Sequence, residues 1–239
     1  MNNFSQLKQK IAKKKAKICV VGLGYVGLPL VVNFAKKNFF VYGLDTSISR
    51  INKLKKGEKY IVDIEPEDVL KLIKKDKFLP TDKKEVLKDS DIIIICVPTP
   101  LRKVKTPDIS FVKRAAKTVK KYIKPGQLII LESTSYPTTT REIVLPELKK
   151  SGLCEEKDFF LCFSPERVNP GDKLYPITKI PKVVGGLSSQ STQLAKKLYS
   201  VIMKKIHTVS NPEVAETSKL LENTYRLVNI ALISEFTMV

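Results

Sequence analysis

Apolar runs of strand length alternate with longer amphipathic stretches along this 239-residue chain. Residues 17–22 (KICVVG) read as a strand, 25–37 as a helix and 39–45 as a second strand. Residues 47–56 and 66–75 have helical spacing, and 91–97 (DIIIICV) lack polar alternation, as a parallel strand buried on both faces requires. A helix over 109–123 stops at the Pro125-Gly126 breaker. Strand 127–132, helix 139–150, strands 159–163 and 182–184, helix 189–203 and strand 206–209 follow. This alternation predicts an α/β, doubly wound, mostly parallel sheet. Asn211-Pro212-Glu213 then supplies an N-cap, a proline at the first helical position and an acid in the first turn. The helical pattern continues to Val239 with no Gly or Pro stop, the pattern expected of a helix cut short in a fragment.

Composition changes this picture little. A hydrophobic share of 43% supports a full core, and no apolar run reaches the roughly 18–20 residues of a membrane span. The first seventeen residues have no apolar signal core, so a cytoplasmic protein without membrane association is expected. Four cysteines (Cys19, Cys96, Cys154, Cys162) show no CxxC spacing, and His207 is the single histidine, so no metal site is expected. Disulfides are not expected in a reducing compartment. The net charge of +19 raises a basic nucleic-acid-binding protein as an alternative. The lysines, however, are spread along the whole chain and rarely interleave with aromatics, so no nucleic-acid partner is expected. Anionic small molecules such as dinucleotides and nucleotide sugars also suit a positive cleft.

The sharpest motif is Gly22-Leu23-Gly24-Tyr25-Val26-Gly27, a G-x-G-x-x-G run between a predicted strand and a predicted helix. That context marks a Rossmann-type dinucleotide site. Gly22 allows the tight turn, Gly24 lets the backbone approach the pyrophosphate, and Gly27 lets helix pack on strand. Asp45 ends the second strand, eighteen positions after Gly27. A carboxylate there accepts from both ribose hydroxyls and repels a 2′-phosphate, which predicts NAD over NADP; Arg50, nearby, blunts the preference. Strand carboxyl ends face the ligand crevice in such sheets. Thr99, in Val97-Pro98-Thr99-Pro100, is either a cofactor donor or part of a plain proline turn. Glu132-Ser133-Thr134 closes the next strand, and a carboxylate buried as Glu132 would be needs a partner or a shifted pKa. Glu166, in Phe163-Ser164-Pro165-Glu166-Arg167, is either an acid/base or water-positioning group or one half of a surface ion pair. Lys219 and Asn223 share one helix face and either hold a developing alkoxide or face solvent.

Together these segments resemble the UDP-glucose/GDP-mannose dehydrogenase family. The resemblance rests on GLGYVGLP, on Gly43-Leu44-Asp45 with Arg50 and Gly57, and on 96–100 and 132–134. It extends to Ser164-Pro165-Glu166-Arg167 and to Ala215-Glu216 through Lys219 and Asn223. EST-x-YP-x-TT and SPER-x-x-PG look most like the branch acting on UDP-N-acetylglucosamine or UDP-N-acetylmannosamine. The resemblance implies a four-electron oxidation of the sugar C6 alcohol to a carboxylate with two NAD. Thr134 and Glu166 would hold or activate water, and Lys219 and Asn223 would stabilise the oxyanion. Gly22, Gly24, Tyr25, Val26, Gly27, Asp45, Arg50, Thr99 and Thr134 would bind the cofactor. It implies an NAD-binding domain over 1–210 and, over 211–239, the start of a central dimerisation helix of a homodimer, without the second, nucleotide-sugar domain. The family's cysteine nucleophile, in a GGHC-like segment, has no counterpart among the four cysteines, so NAD binding without uronate production is expected of these residues. UDP-glucose or GDP-mannose as substrate, and a β-hydroxyacid dehydrogenase, stand as alternatives.

Overall fold

The computed structural model describes residues 2–101, 106–166 and 180–238. Its strands are β1 (Lys17–Val21), β2 (Phe40–Leu44), β3 (Phe78–Thr81), β4 (Ile92–Ile95), β5 (Gln127–Leu131), β6 (Phe159–Phe163), β7 (Lys182–Gly186) and β8 (Ile206–Thr208). They form one sheet in the order β3-β2-β1-β4-β5-β6-β7-β8. β1 lies between β2 and β4, so the chain winds outward in both directions from that point, and the crevice there faces the carboxyl ends of the strands. All pairings are parallel except β6–β7, where Cys162 faces Gly186 and Phe163 faces Gly185. The expected doubly wound, mostly parallel sheet is therefore present.

Two helical layers bury the sheet because its strands are apolar on both faces. α1 (Asn3–Ala12), α2 (Gly27–Lys36), α4 (Pro66–Lys74) and α8 (Ser189–Tyr199) share one core with Ile18, Val20, Ile92, Ile94, Leu128 and Ile130. α5 (Val86–Asp89), α6 (Ser110–Tyr122) and α7 (Leu145–Lys149) cover the other face, against Cys19, Ile93, Ile95, Ile129 and Leu131. α3 (Ile48–Lys56) follows β2, and α9 (Pro212–Phe236) follows β8.

Three elements escape the hydrophobic pattern. α1 is lysine-rich, but Phe4, Leu7 and Ile11 fall on one face; the Phe4 ring meets Phe160 edge-on at 6.3 Å. β3 contains Pro80, which forbids a central strand but is tolerated at the sheet edge, where β3 sits. α5 is a single turn. The helix expected over 139–150 begins as a π-helical turn, Thr139–Val144, and becomes α-helical only at α7. Pro146 in the first turn of α7 lacks the N–H that a regular ladder would use. Arg167 and Asn169-Pro170-Gly171 lie outside the described residues.

Candidate active site

The turn from β1 to α2 is built from close backbone contacts. Gly22 has φ +98°, and a Cβ there would stand 2.5 Å from the Cys96 carbonyl oxygen. A Cβ on Gly27 would stand 1.8 Å from the Gly22 carbonyl oxygen. A Cβ on Gly24, by contrast, would meet nothing within 4 Å, so the turn is open on the side where a pyrophosphate would approach. Val26 at the head of α2 makes no side-chain cap; Leu28 N–H donates to the Gly24 carbonyl at 3.0 Å, Leu30 N–H to the Val26 carbonyl at 3.4 Å, and Pro29 carries no N–H, so within the first turn of α2 an anion would meet the Gly27 N–H. Tyr25 is exposed and Val26 half-buried on this turn.

Asp45, almost fully buried, locks the second strand to that turn. Its Oδ2 accepts from the Leu23 N–H at 2.8 Å and its Oδ1 from the Ser47 N–H at 2.8 Å. Arg50 Nη1 reaches Oδ2 at 3.3 Å. The Tyr60 hydroxyl donates to the Leu23 carbonyl at 2.8 Å, a second latch that motif reasoning missed because Tyr60 lies outside any spacing rule. Next along the crevice edge, the Val97 N–H donates to Ser133 Oγ at 2.9 Å, tying the ends of β4 and β5 together. Thr99 is half-buried just beyond β4, and Thr134 is exposed just beyond β5.

Behind this edge lies a buried ionic cluster. Residues 128 and 130 of β5 point to the α8 face, and by the same alternation Glu132 does too. Because β7 runs antiparallel, its first residue, Lys182, arrives at the carboxyl edge of β6 rather than at the opposite end. Lys182 Nζ lies 2.8 Å from Glu132 Oε2 and 2.9 Å from Glu166 Oε2. The Tyr199 hydroxyl of α8 donates to Glu132 Oε1, and the Lys182 ammonium sits 5.1 Å from the Tyr199 ring centroid. Glu132 is 1% exposed, Lys182 3% and Glu166 8%. Glu132 has therefore found its required partner, and Glu166 forms a buried ion pair, not a surface one. Sequence reading could not find Lys182, which looks like an ordinary polar residue opening a strand.

Burial, opposed by Lys182, raises the Glu132 carboxyl from its ordinary 4.5 to about 7. A carboxyl whose pKa rises on folding holds a proton that the unfolded chain has released. Lys182 stays charged across that interval, its own pKa raised by the two carboxylates against the effect of burial. The contribution of this group to stability should accordingly be fully present below about pH 4.5 and be lost as pH rises to about 7. Urea midpoints across that range should show the slope, and Glu132→Gln should flatten it.

α9 docks by its N-terminal end, where Pro212, Ala215 and Glu216 are its buried residues. Ala215 and Glu216 are buried, and Glu216 accepts from Thr138 N–H (2.7 Å), Thr140 N–H (2.9 Å) and Thr140 Oγ1 (2.7 Å). Thr138 has φ +78°, and Glu216 helps to hold it there. Lys219 is half-buried and partnered; Asn223, one turn on, is exposed.

A strand–turn–helix glycine cradle, a carboxylate at the end of β2 and a polar crevice edge define a Rossmann-type dinucleotide-binding domain. The description "UDP-glucose/GDP-mannose dehydrogenase family, NAD binding domain" matches residues 16–203. The chain belongs to that family, and NAD is the cofactor of this domain. It is 43% identical over 224 residues to Protein CapL of Staphylococcus aureus, covering 93% of this chain and 52% of that protein. With a UDP-N-acetyl-D-glucosamine 6-dehydrogenase of Pseudomonas aeruginosa it shares 40% identity over 228 residues, 95% of this chain and 53% of that one. The structure of a UDP-D-ManNAc dehydrogenase from Pyrococcus horikoshii superposes with a TM-score of 0.87 at 38% identity, over 92% of this chain and 53% of the other. The chain thus spans about half the length of the relatives it matches.

Proposed function

We propose that these residues are the NAD-binding portion of a nucleotide-sugar 6-dehydrogenase that oxidises C6 of a UDP-N-acetylhexosamine to the uronate, in the cytoplasm, for surface polysaccharide precursors. The supporting observation is the Glu166 carboxylate, held by Lys182 at the same strand edge that carries the glycine cradle. Relatives named for UDP-N-acetylglucosamine and UDP-N-acetylmannosamine favour that substrate class over UDP-glucose or GDP-mannose. NAD supplies the hydride acceptor. In this reading Gly22, Gly24, Tyr25, Val26, Gly27, Asp45, Arg50, Thr99 and Thr134 hold it. Thr134 and Glu166 place water near C6, and Lys219 and Asn223 stabilise the oxyanion.

A thioester step needs a thiolate in the crevice. Cys96 and Cys162 are buried, and desolvation pushes both thiols well up; Cys19 is buried too. Cys154 is exposed, but it precedes β6 and so lies at the opposite edge of the sheet from the crevice. The nucleophile is assigned to residues other than these, and the chain alone should bind NAD without sustained NADH formation. Residues 1–210 are proposed as the NAD-binding domain and 211–239 as the start of a dimerisation helix. Leu221, Tyr225, Leu227, Ile230, Ile233 and Phe236, all exposed on α9, support the latter.

Two measurements test the reading. Asp45→Ala should weaken NAD binding by roughly ten- to a hundredfold, the value of a charged hydrogen bond of about 1.5–3 kcal/mol, in a calorimetric titration. A chimera carrying the remaining half of the Pseudomonas aeruginosa relative should reduce NAD with UDP-N-acetylglucosamine or UDP-N-acetylmannosamine and far more slowly with UDP-glucose. A preference for UDP-glucose or GDP-mannose would overturn the substrate class, and sustained NADH production by the 239 residues alone would overturn the missing nucleophile.

A further inference from the structure

Glu132, Lys182 and Tyr199 take no part in the cofactor site and none in the proposed chemistry, yet they form the most deeply buried polar assembly among the described residues at the crevice edge. Burying an ammonium with two carboxylates is costly, and a well-packed apolar set of the same volume would often serve stability as well. The cost is explained if the cluster serves the one member that reaches the crevice. Glu166 is that member: it follows the end of β6 and is the most exposed of the three charged groups.

We propose that Lys182 is a positioning residue that fixes the Glu166 carboxylate at the crevice edge and couples its charge to Glu132 in the core. The geometry divides the work. Lys182 lies between two carboxylates at nearly equal distances, 2.8 and 2.9 Å. Tyr199 pins Glu132 from the far side through its hydroxyl and flanks the ammonium with its ring. With Glu132 ionised the cluster carries one cation and two anions; with Glu132 protonated it is neutral. Glu132 is the more desolvated carboxyl and faces the like charge of Glu166, so it is the member that takes up the proton, against the opposing pull of the Lys182 ammonium and the Tyr199 hydroxyl. The groups facing Glu132 are Lys182 from β7, Glu166 beyond β6, Tyr199 from α8 and Cys96 at the end of β4. Burial is the main cause that raises Glu132; Lys182 lowers it and Glu166 raises it. A change of charge on Glu166, whether from a proton or from a bound ligand, is therefore felt at Glu132 through the shared ammonium.

The role assigned to Glu166 rests on the proposed dehydrogenase reading, but the coupling does not. Its test is a carbon-13 NMR titration of the glutamate side-chain carboxyls in the whole chain, with no sugar present. In the unsubstituted protein Glu132 should titrate near pH 7. Glu166→Gln should move that midpoint down by about one pH unit, because a neighbouring like charge is gone. Lys182→Met should move it up by a similar amount, and Lys182→Arg should restore it. A merely structural cluster would tolerate Glu166→Gln, near the edge, with the Glu132 midpoint unmoved, and that result overturns the proposal even if Lys182→Met fails to fold. Failure of the chain to bind NAD would instead strike the functional reading and leave the coupled titration standing.

Discussion

Gly27→Ala should abolish NAD binding and cost about 3 kcal/mol of stability, the upper end of the overpacking range. The new methyl would lie 1.8 Å from the Gly22 carbonyl oxygen and 3.2 Å from Val20 Cγ1, and the first of these neighbours is backbone. Relief requires α2 to move off β1, which breaks the close approach on which the phosphate cradle depends. Gly24→Ala supplies the contrast. Its methyl meets no protein atom within 4 Å, so the urea midpoint should stay within about 0.5 kcal/mol of the parent, while NAD affinity falls because the methyl occupies the cofactor's approach. Urea unfolding and NAD titration on the same two variants separate the effects. Equal loss of stability in both variants would show that the Gly24 side of the turn is packed and not open.

Glu216→Ala should cost about 3 kcal/mol or more and release α9 from the domain. The carboxylate satisfies two backbone N–H groups and one hydroxyl in a buried position, and an unsatisfied buried donor costs roughly 1–3 kcal/mol. Thr138 would also lose a restraint on its left-handed backbone. Glu216→Gln should recover part of the loss. Its carbonyl can keep both Thr140 bonds, which converge on Oε1, but its amide nitrogen would face the Thr138 N–H as donor against donor. Hydrogen exchange at Thr138 and Thr140, with limited proteolysis of α9, reads the outcome. Unchanged protection in Glu216→Ala would show that packing of Ala215 alone holds the helix.

The glycine turn and the acidic end of β2 were legible in the chain because their determinants are local. Gly22 to Gly27 and Asp45 fall within one βαβ unit, and their spacing follows from strand and helix geometry. The reading of β4 as a buried strand succeeded for a similar reason: four successive isoleucines leave no polar face. Lys219 and Asn223 were placeable on one helix face, but not the fact that α9 is buried only at Pro212, Ala215 and Glu216. That depends on the start of the π-helical turn presenting the N–H groups of Thr138 and Thr140 to Glu216, across 78 and 76 positions of sequence.

The sequence by itself determined a doubly wound α/β sheet, the glycine cradle, the acidic end of β2 and the order of the crevice loops, since periodicity and motif spacing act over a few residues. Tertiary structure alone decided what surrounds the chemistry. Glu132, Glu166, Lys182 and Tyr199 come from four separate elements, and they meet because β7 runs against its neighbour and delivers a lysine to the carboxyl edge. Strand direction is set by how the whole chain returns to the sheet, and no local spacing encodes it.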